Sequence, residues 1–251
     1  MEPYILEETE DFAVVFKPPR MHCAPLSQSD DNTLLGWYAA IFPPVMELSG
    51  RKKGEGGLLH RLDYETQGLV LFAKNQMSLE NLVQQQNEGN FIKEYSAICE
   101  KSVFDGSSFP PPPLFDITKN VFSNTPLIIE SFFRPYGRGR KQVRPVTGTS
   151  RMFRETASDK GGYYRTEITG IVETSDHRRC SITARIFRGF RHQIRCHLAW
   201  IGCPVLNDPL YGQGANGFLA LRATGLFFAN PRDGRQRKYR IDQLNVFSET
   251  M

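Results

Sequence analysis

Apolar positions along the chain fall into short, nearly continuous runs separated by polar segments rich in Gly and Pro, a spacing that predicts strands more often than helices. Phe12-Ala13-Val14-Val15-Phe16, ended by Pro18-Pro19, predicts a strand running into a loop. Gly68 to Ala73 predicts a buried strand, and Phe91 to Cys99 another with Lys93, Tyr95 and Ala97 on one face. Further strands are predicted at 127–133, 163–172, 180–187, 224–229 and 238–242. Helical spacing is confined to three places. These are 33–42, stopped by Pro43-Pro44; 76–88, with Met77, Leu79, Leu82 and Val83 among Gln and Glu; and 191–201, with Ile194, Leu198 and Ile201 on one side. The irregular stretch 101–126 holds Pro110 to Pro113, which must run extended as a linker or surface insertion. Many strands with few, dispersed helices point to an α+β (mixed α/β) fold on a largely antiparallel sheet.

Composition narrows the class. With 251 residues, 40% of them hydrophobic, 18 Phe and 9 Tyr, the chain is globular and large enough to build a core without disulfides or metal. No run approaches the roughly 18 apolar residues of a membrane span. The start, Met1-Glu2-Pro3-Tyr4, lacks the basic region of a signal peptide, so a soluble, cytoplasmic protein is expected. The five cysteines (Cys23, Cys99, Cys180, Cys196, Cys203) are odd in number and never spaced as Cys-x-x-Cys. Structural zinc and a disulfide framework are therefore not expected, and buried, inert thiols are.

Charge changes the picture more than composition does. The formal net charge of +4 divides into 8 basic and 15 acidic residues over 1–100, against 23 and 12 over the remainder. Residues 131–154 hold Arg134, Arg138, Arg140, Lys141, Arg144, Arg151 and Arg154 with no acid, and 177–197 hold six Arg with no acid. Two acid-free clusters interleaved with Phe and Tyr suit a polyanion, and Arg's planar fork suits phosphate.

Three segments carry candidate chemistry. His60-Arg61-Leu62-Asp63-Tyr64-Glu65-Thr66-Gln67-Gly68 is a polar knot between apolar segments, either a catalytic loop or a turn in which Asp63 accepts backbone hydrogen bonds. Arg191-His192-Gln193-Ile194-Arg195-Cys196-His197-Leu198 reads as a helix with Arg191 and Arg195 on one face. His192 and His197 are about 140° apart there, a poor metal pair. Lys93-Glu94-Tyr95-Ser96-Ala97 places one aromatic on a strand.

Together these segments are recognisable. Residues 60–74 keep the spacing His-Arg-Leu-Asp-x-x-Thr-x-Gly-Leu-x-Leu-x-Ala-Lys; Lys93 to Ala97 reads Lys-x-Tyr-x-Ala; His192-Gln193-Ile194-Arg195 is followed by Asp208-Pro209-Leu210-Tyr211-Gly212. Phe12 to Pro18, and later Leu219 to Ala223, Phe227 and Pro231, fall in matching order. On these residues the chain resembles the RluA family of pseudouridine synthases, which isomerise uridine in RNA to its carbon-linked form. Gln67 stands where that family usually has Ser, Phe190-Arg191 where it has Arg-Thr, and Arg222 at a frequent His position.

The resemblance implies a bent sheet flanked by helices around a central catalytic cleft. It implies one catalytic domain over 1–251, with a Pro-rich insertion near 101–126 and without the small RNA-binding domain often fused ahead of it. Asp63 is implied as the catalytic carboxylate, either nucleophile or base on the ribose, with Arg195 pairing it to keep it charged. Tyr95 would stack on the extruded base and take the carbon 5 proton, and Arg61 would fill the place of the flipped uridine. His60 and Thr66 would shape the loop. Arg138, Arg140, Lys141 and Arg144 would meet phosphates, where the family has a basic hairpin. No cofactor or metal is implied; the partner is ribosomal or transfer RNA, not a membrane, and the protein is expected to be a monomer. Two other classes stay open: an idle RNA-binding protein that keeps the fold, and a glycoside hydrolase using Glu65 as second carboxylate.

Overall fold

The unbroken apolar runs at 12–16 and 68–73 become neighbouring strands in which every residue is buried. The computed structural model describes residues 1–26, 32–50, 52–101, 109–113, 125–148, 162–212, 214 and 216–244. The chain packs as two units, one from 1–94 with 222–242 and the other from 95–221 with 243–251.

In the first unit, β1 (Tyr4–Glu8) pairs antiparallel with β2 (Phe12–Lys17), and β2 with β3 (Gln67–Ala73). β3 then runs parallel to β9 (Leu221–Ala229), which carries β10 (Gln236–Arg240) antiparallel. Because β2 and β3 are covered on both faces, their sequences read as continuous apolar runs with no alternation. One cover is α2 (Gln76–Glu88), whose Leu79 and Leu82 enter a core with Phe12, Val14, Leu69, Leu71, Phe91, Leu226 and Phe228. Asn75 caps that helix by accepting the Ser78 N–H at 2.9 Å, and Gly89 ends it in the left-handed region. Met77 is exposed, not part of the apolar face: two residues from Leu79, it points about 200° away around the helix. Buried Gln85 instead faces inward, exchanging two 2.8 Å hydrogen bonds with the backbone of Ala229. A second helix, α1 (Leu34–Ile41), begins at a Thr33 cap and buries Tyr38 against Phe72.

In the second unit the strands lie in the order β8-β7-β5-β6, each antiparallel to the next, with the C-terminal part of β4 (Ile92–Glu100) bordering β8. The strands are β5 (Leu127–Tyr136), β6 (Gln142–Val146), β7 (Tyr164–Glu173) and β8 (Arg179–Ile186). The largely antiparallel α+β expectation holds, and β3 and β9 pair in parallel. The five cysteines are free and buried.

The third helix, α3 (Gln193–Trp200), departs from its sequence reading. His192 precedes it with φ 56°, so Arg191 and His192 lie outside the helix and share no face with Arg195 or His197. All eight helical residues are buried, so this is an interior helix and not an amphipathic basic one. Its polar members are satisfied inside the unit. Gln193 Nε2 donates to the Arg165 carbonyl at 2.9 Å, and His197 joins Ser131 and Thr166 through its two ring nitrogens at 3.0 and 2.9 Å.

Burial pushes His197 down to about 3, far below an ordinary imidazole. On unfolding, His197 returns to its ordinary range and takes up a proton below pH 6.5, so stability drops as pH falls from there toward 3. His197→Gln should flatten that part of the acid limb in urea unfolding measured between pH 7 and 4. An unchanged slope would remove His197 as its source.

Candidate active site

The loop ahead of β3 is braced from inside the first unit. Lys17 ends β2 fully buried, and its ammonium donates to the carbonyls of Pro18 (2.8 Å), Met21 (2.8 Å) and Tyr64 (3.2 Å). Three carbonyl acceptors are the full complement of a lysine ammonium, so this charge fixes the turn after β2 to the turn beside Asp63. Burial pushes Lys17 down to about 8, while Cys23, Asp63 and Glu65 nearby pull the other way. Cys23 adds a second clamp, its sulfur accepting the Leu62 N–H at 3.2 Å and donating to the Leu62 carbonyl at 3.5 Å.

Within this frame Asp63 to Thr66 forms a turn closed by the Thr66 N–H on the Asp63 carbonyl at 3.0 Å. Asp63 itself is half-buried. His60 accepts the Leu71 N–H through Nε2 at 3.3 Å, which ties the loop to β3 and leaves the ring proton on Nδ1. Thr66 is buried. Arg61 points the other way, half-exposed and paired with Glu55 at 3.2 Å. Tyr64 is exposed with its ring against His22.

The remaining candidates lie in the second unit. Tyr95 is buried on β4 at 6% exposure, next to Ser96, whose hydroxyl accepts the Leu244 N–H at 3.1 Å. Arg195, on α3, holds Asp208 in a two-pronged pair, Nε to Oδ2 and Nη2 to Oδ1, both at 2.7 Å. Asp208 belongs to the segment Asp208-Pro209-Leu210-Tyr211-Gly212 that follows the helix in the sequence. Its signal there is an acid in Asp-x-x-Tyr-Gly, a turn that lets one carboxylate also accept backbone N–H groups.

The basic segment divides. Arg138, Arg140 and Lys141 are exposed on the turn between β5 and β6. Arg191 Nη2 grips that turn through the carbonyls of Arg140 (2.6 Å) and Gln142 (3.3 Å). Arg144 differs from its neighbours: it lies on β6, not in a loop. It is 7% exposed, and its guanidinium sits over the rings of Phe109 (4.1 Å) and Tyr136 (4.3 Å). Arg151 and Arg154 fall outside the described residues, as does most of 101–126. Of the proline run, Pro110 accepts the Trp200 indole N–H at 2.9 Å. Among the described residues no cluster of ligating side chains is arranged to hold a metal ion, and no helix is long and apolar enough to cross a membrane.

The family model described as RNA pseudouridylate synthase matches residues 11–200. The chain belongs to that family. An uncharacterised RNA pseudouridine synthase of Mycoplasma pneumoniae is 28% identical over all of this chain and 72% of its own length. Ribosomal large subunit pseudouridine synthase D of Haemophilus ducreyi is 26% identical over 83% of this chain, which spans about half (52%) of that relative. The solved structure of human RNA pseudouridylate synthase domain containing 1 superposes with a TM-score of 0.66 at 17% identity, covering 96% of this chain and 84% of the other.

Two departures of this chain from the pseudouridine synthase pattern meet each other. Gln67 and Arg222 are partners across the parallel β3/β9 pair, and Arg222 Nη2 donates to Gln67 Oε1 at 3.3 Å. A Ser at 67 would be too short for that contact, so the two substitutions form one matched pair. The third departure, Phe190, stacks on Phe133 with ring centres 5.1 Å apart, and its N–H is accepted by Gln193 Oε1 at 3.0 Å ahead of α3.

Proposed function

We propose that the protein is an RNA pseudouridine synthase, acting as a cytoplasmic monomer on one or a few uridines without a cofactor. The observation that carries this reading is the family match over 11–200, which contains every residue of the Asp63 loop, Tyr95 and Arg195 in order. The names of several relatives include the ribosomal large subunit, which makes ribosomal RNA the first substrate to test and transfer RNA the second.

Isomerisation requires the bond from uracil N1 to the ribose to break with its electron pair on N1, the base to turn, carbon 5 to bond to the same ribose carbon, the carbon 5 proton to leave, and N1 to take up a proton. Asp63 supplies the carboxylate that acts on the ribose, as nucleophile or as base at the neighbouring carbon. A half-buried carboxylate on a loop held by Lys17 and Cys23 is placed in advance and not ordered on binding. Tyr95 supplies a ring for the turned base and a phenol for the carbon 5 proton. Arg61, exposed and bound only at its tip to Glu55, enters the RNA where the uridine has flipped out.

RNA tritiated at carbon 5 of uracil should lose tritium to water as pseudouridine forms in equal amount. Free uracil as the product would replace this reading with glycoside hydrolysis, and tight RNA binding without tritium release would replace it with an idle binder.

Arg138, Arg140 and Lys141 contact phosphates in this reading. Changing all three to Ala should weaken binding to every RNA alike and reduce the slope of log affinity against log salt by about 2–3. An unchanged slope would remove the turn from the interface.

A further inference from the structure

We propose that Asp208 is the positioning residue of Arg195, fixing the direction of its guanidinium for the isomerisation, a role that rests on the synthase reading above. Both side chains are out of water, Arg195 at 3% and Asp208 at 0% exposure. A buried ion pair of this kind contributes little net stability, because two apolar residues of the same volume serve a core as well or better. Its retention calls for another reason, and the geometry supplies one. The two parallel 2.7 Å bonds lock the guanidinium plane to the carboxylate plane, which no single-point contact does.

The carboxylate is itself immobile. Oδ1 also accepts the N–H groups of Leu210 (2.9 Å) and Tyr211 (3.1 Å), and the Asp208 carbonyl accepts the Gly212 N–H at 3.0 Å. Tyr211 in turn anchors this loop to β6, its hydroxyl accepting the Val143 N–H at 2.8 Å and meeting His192 Nδ1 at 3.2 Å. Its ring lies 5.5 Å from the Arg195 guanidinium. Arg195 is thereby fixed by a carboxylate that is itself held by two backbone N–H groups. Only Nε and Nη2 are engaged in the fork, so the carboxylate sets where Nη1 points.

Asp208→Asn keeps the shape but sets an amide donor against a guanidinium that only donates. With tritiated RNA it should lower kcat about tenfold or more while moving KM less than about threefold, as a misplacement of one ångström does. Asp208→Glu, which keeps the buried charge one methylene out of place, should fall between it and wild type and carries the measurement where the Asn variant does not fold. In an Arg195→Met background, Asp208→Asn should cost less than about twofold further, because a positioning residue has nothing left to position.

A kcat within twofold of wild type in both Asp208 variants, or equal losses with and without Arg195, would overturn the proposal. Wild-type protein that releases no tritium would overturn the synthase reading and this proposal with it. Release by wild type with unaltered Asp208 variants overturns this proposal alone.

Discussion

Asp63→Asn is expected to stop tritium release from RNA, lowering the rate by about 10⁴-fold or more, as loss of a nucleophile does elsewhere. An amide at 63 is neither a nucleophile toward the ribose nor a base at the neighbouring carbon, so the prediction holds for both mechanistic routes. It is also a clean substitution. The turn at 63–66 is closed through the Asp63 backbone carbonyl, and the loop is held by Lys17 on Tyr64 and by Cys23 on Leu62, none of which uses the Asp63 side chain. Because those contacts remain, the variant should stay folded and still bind RNA, which a thermal melt and a binding titration on the same preparation check. Glu65→Gln is the matching control: Glu65 pairs with exposed Arg20 at 3.5 Å, a contact of small energy, and its loss should leave the rate near wild type. Full activity in Asp63→Asn would refute the assignment, and loss of activity in Glu65→Gln would restore the two-carboxylate hydrolase reading.

What the sequence made legible follows from what local pattern can encode. β2, β3 and α2 were readable because continuous apolar runs and helical spacing are properties of neighbouring residues. β1 and β6 were not. β1 is an edge strand with Glu7 and Glu8 exposed, and β6 carries Pro145 and stands at the end of the strand order beside β5. Charged residues and proline mark an edge but read as loop. The start of α3 was misread because His192 takes a left-handed conformation that nothing in its neighbours announces. The candidate site divides the same way. Motif order nominates Asp63, Tyr95 and Arg195, but the partners that hold side chains in place are distant in sequence. The three bonds of Lys17 join residues up to 47 apart, and Arg195 meets Asp208 13 residues on. Lys17 carried one readable cue, a lone cation ending an apolar run, which implies a partner for every ammonium proton. Arg144 was grouped with its exposed neighbours because charge alone does not say which guanidinium lies against aromatic rings.

Gly68→Ala is expected to be strongly destabilising, costing about 4 kcal/mol or more. Two penalties coincide at this position. Its φ of +127° lies where L side chains rarely go, worth about 1–3 kcal/mol by itself. A Cβ there would also stand 2.3 Å from the Ala223 oxygen and 2.5 Å from the Ala223 nitrogen. Both are backbone atoms, so no side-chain rotation relieves the contact and the parallel pairing of β3 with β9 must open. That pairing consists of Gln67 with Arg222 and Gly68 with Ala223, so the matched polar pair is lost with it. The urea midpoint should fall by more than about 1 M, given slopes of about 1–3 kcal/mol/M. Gly89→Ala separates the two causes. Gly89 also has a positive φ, +78°, but a Cβ there would meet nothing within 4 Å, so its cost should be only about 1 kcal/mol. Equal shifts in the two variants would mean that backbone conformation alone requires glycine at 68. The expected excess at Gly68 assigns the requirement to the close approach of β3 and β9, which makes this glycine part of the platform from which the Asp63 loop departs.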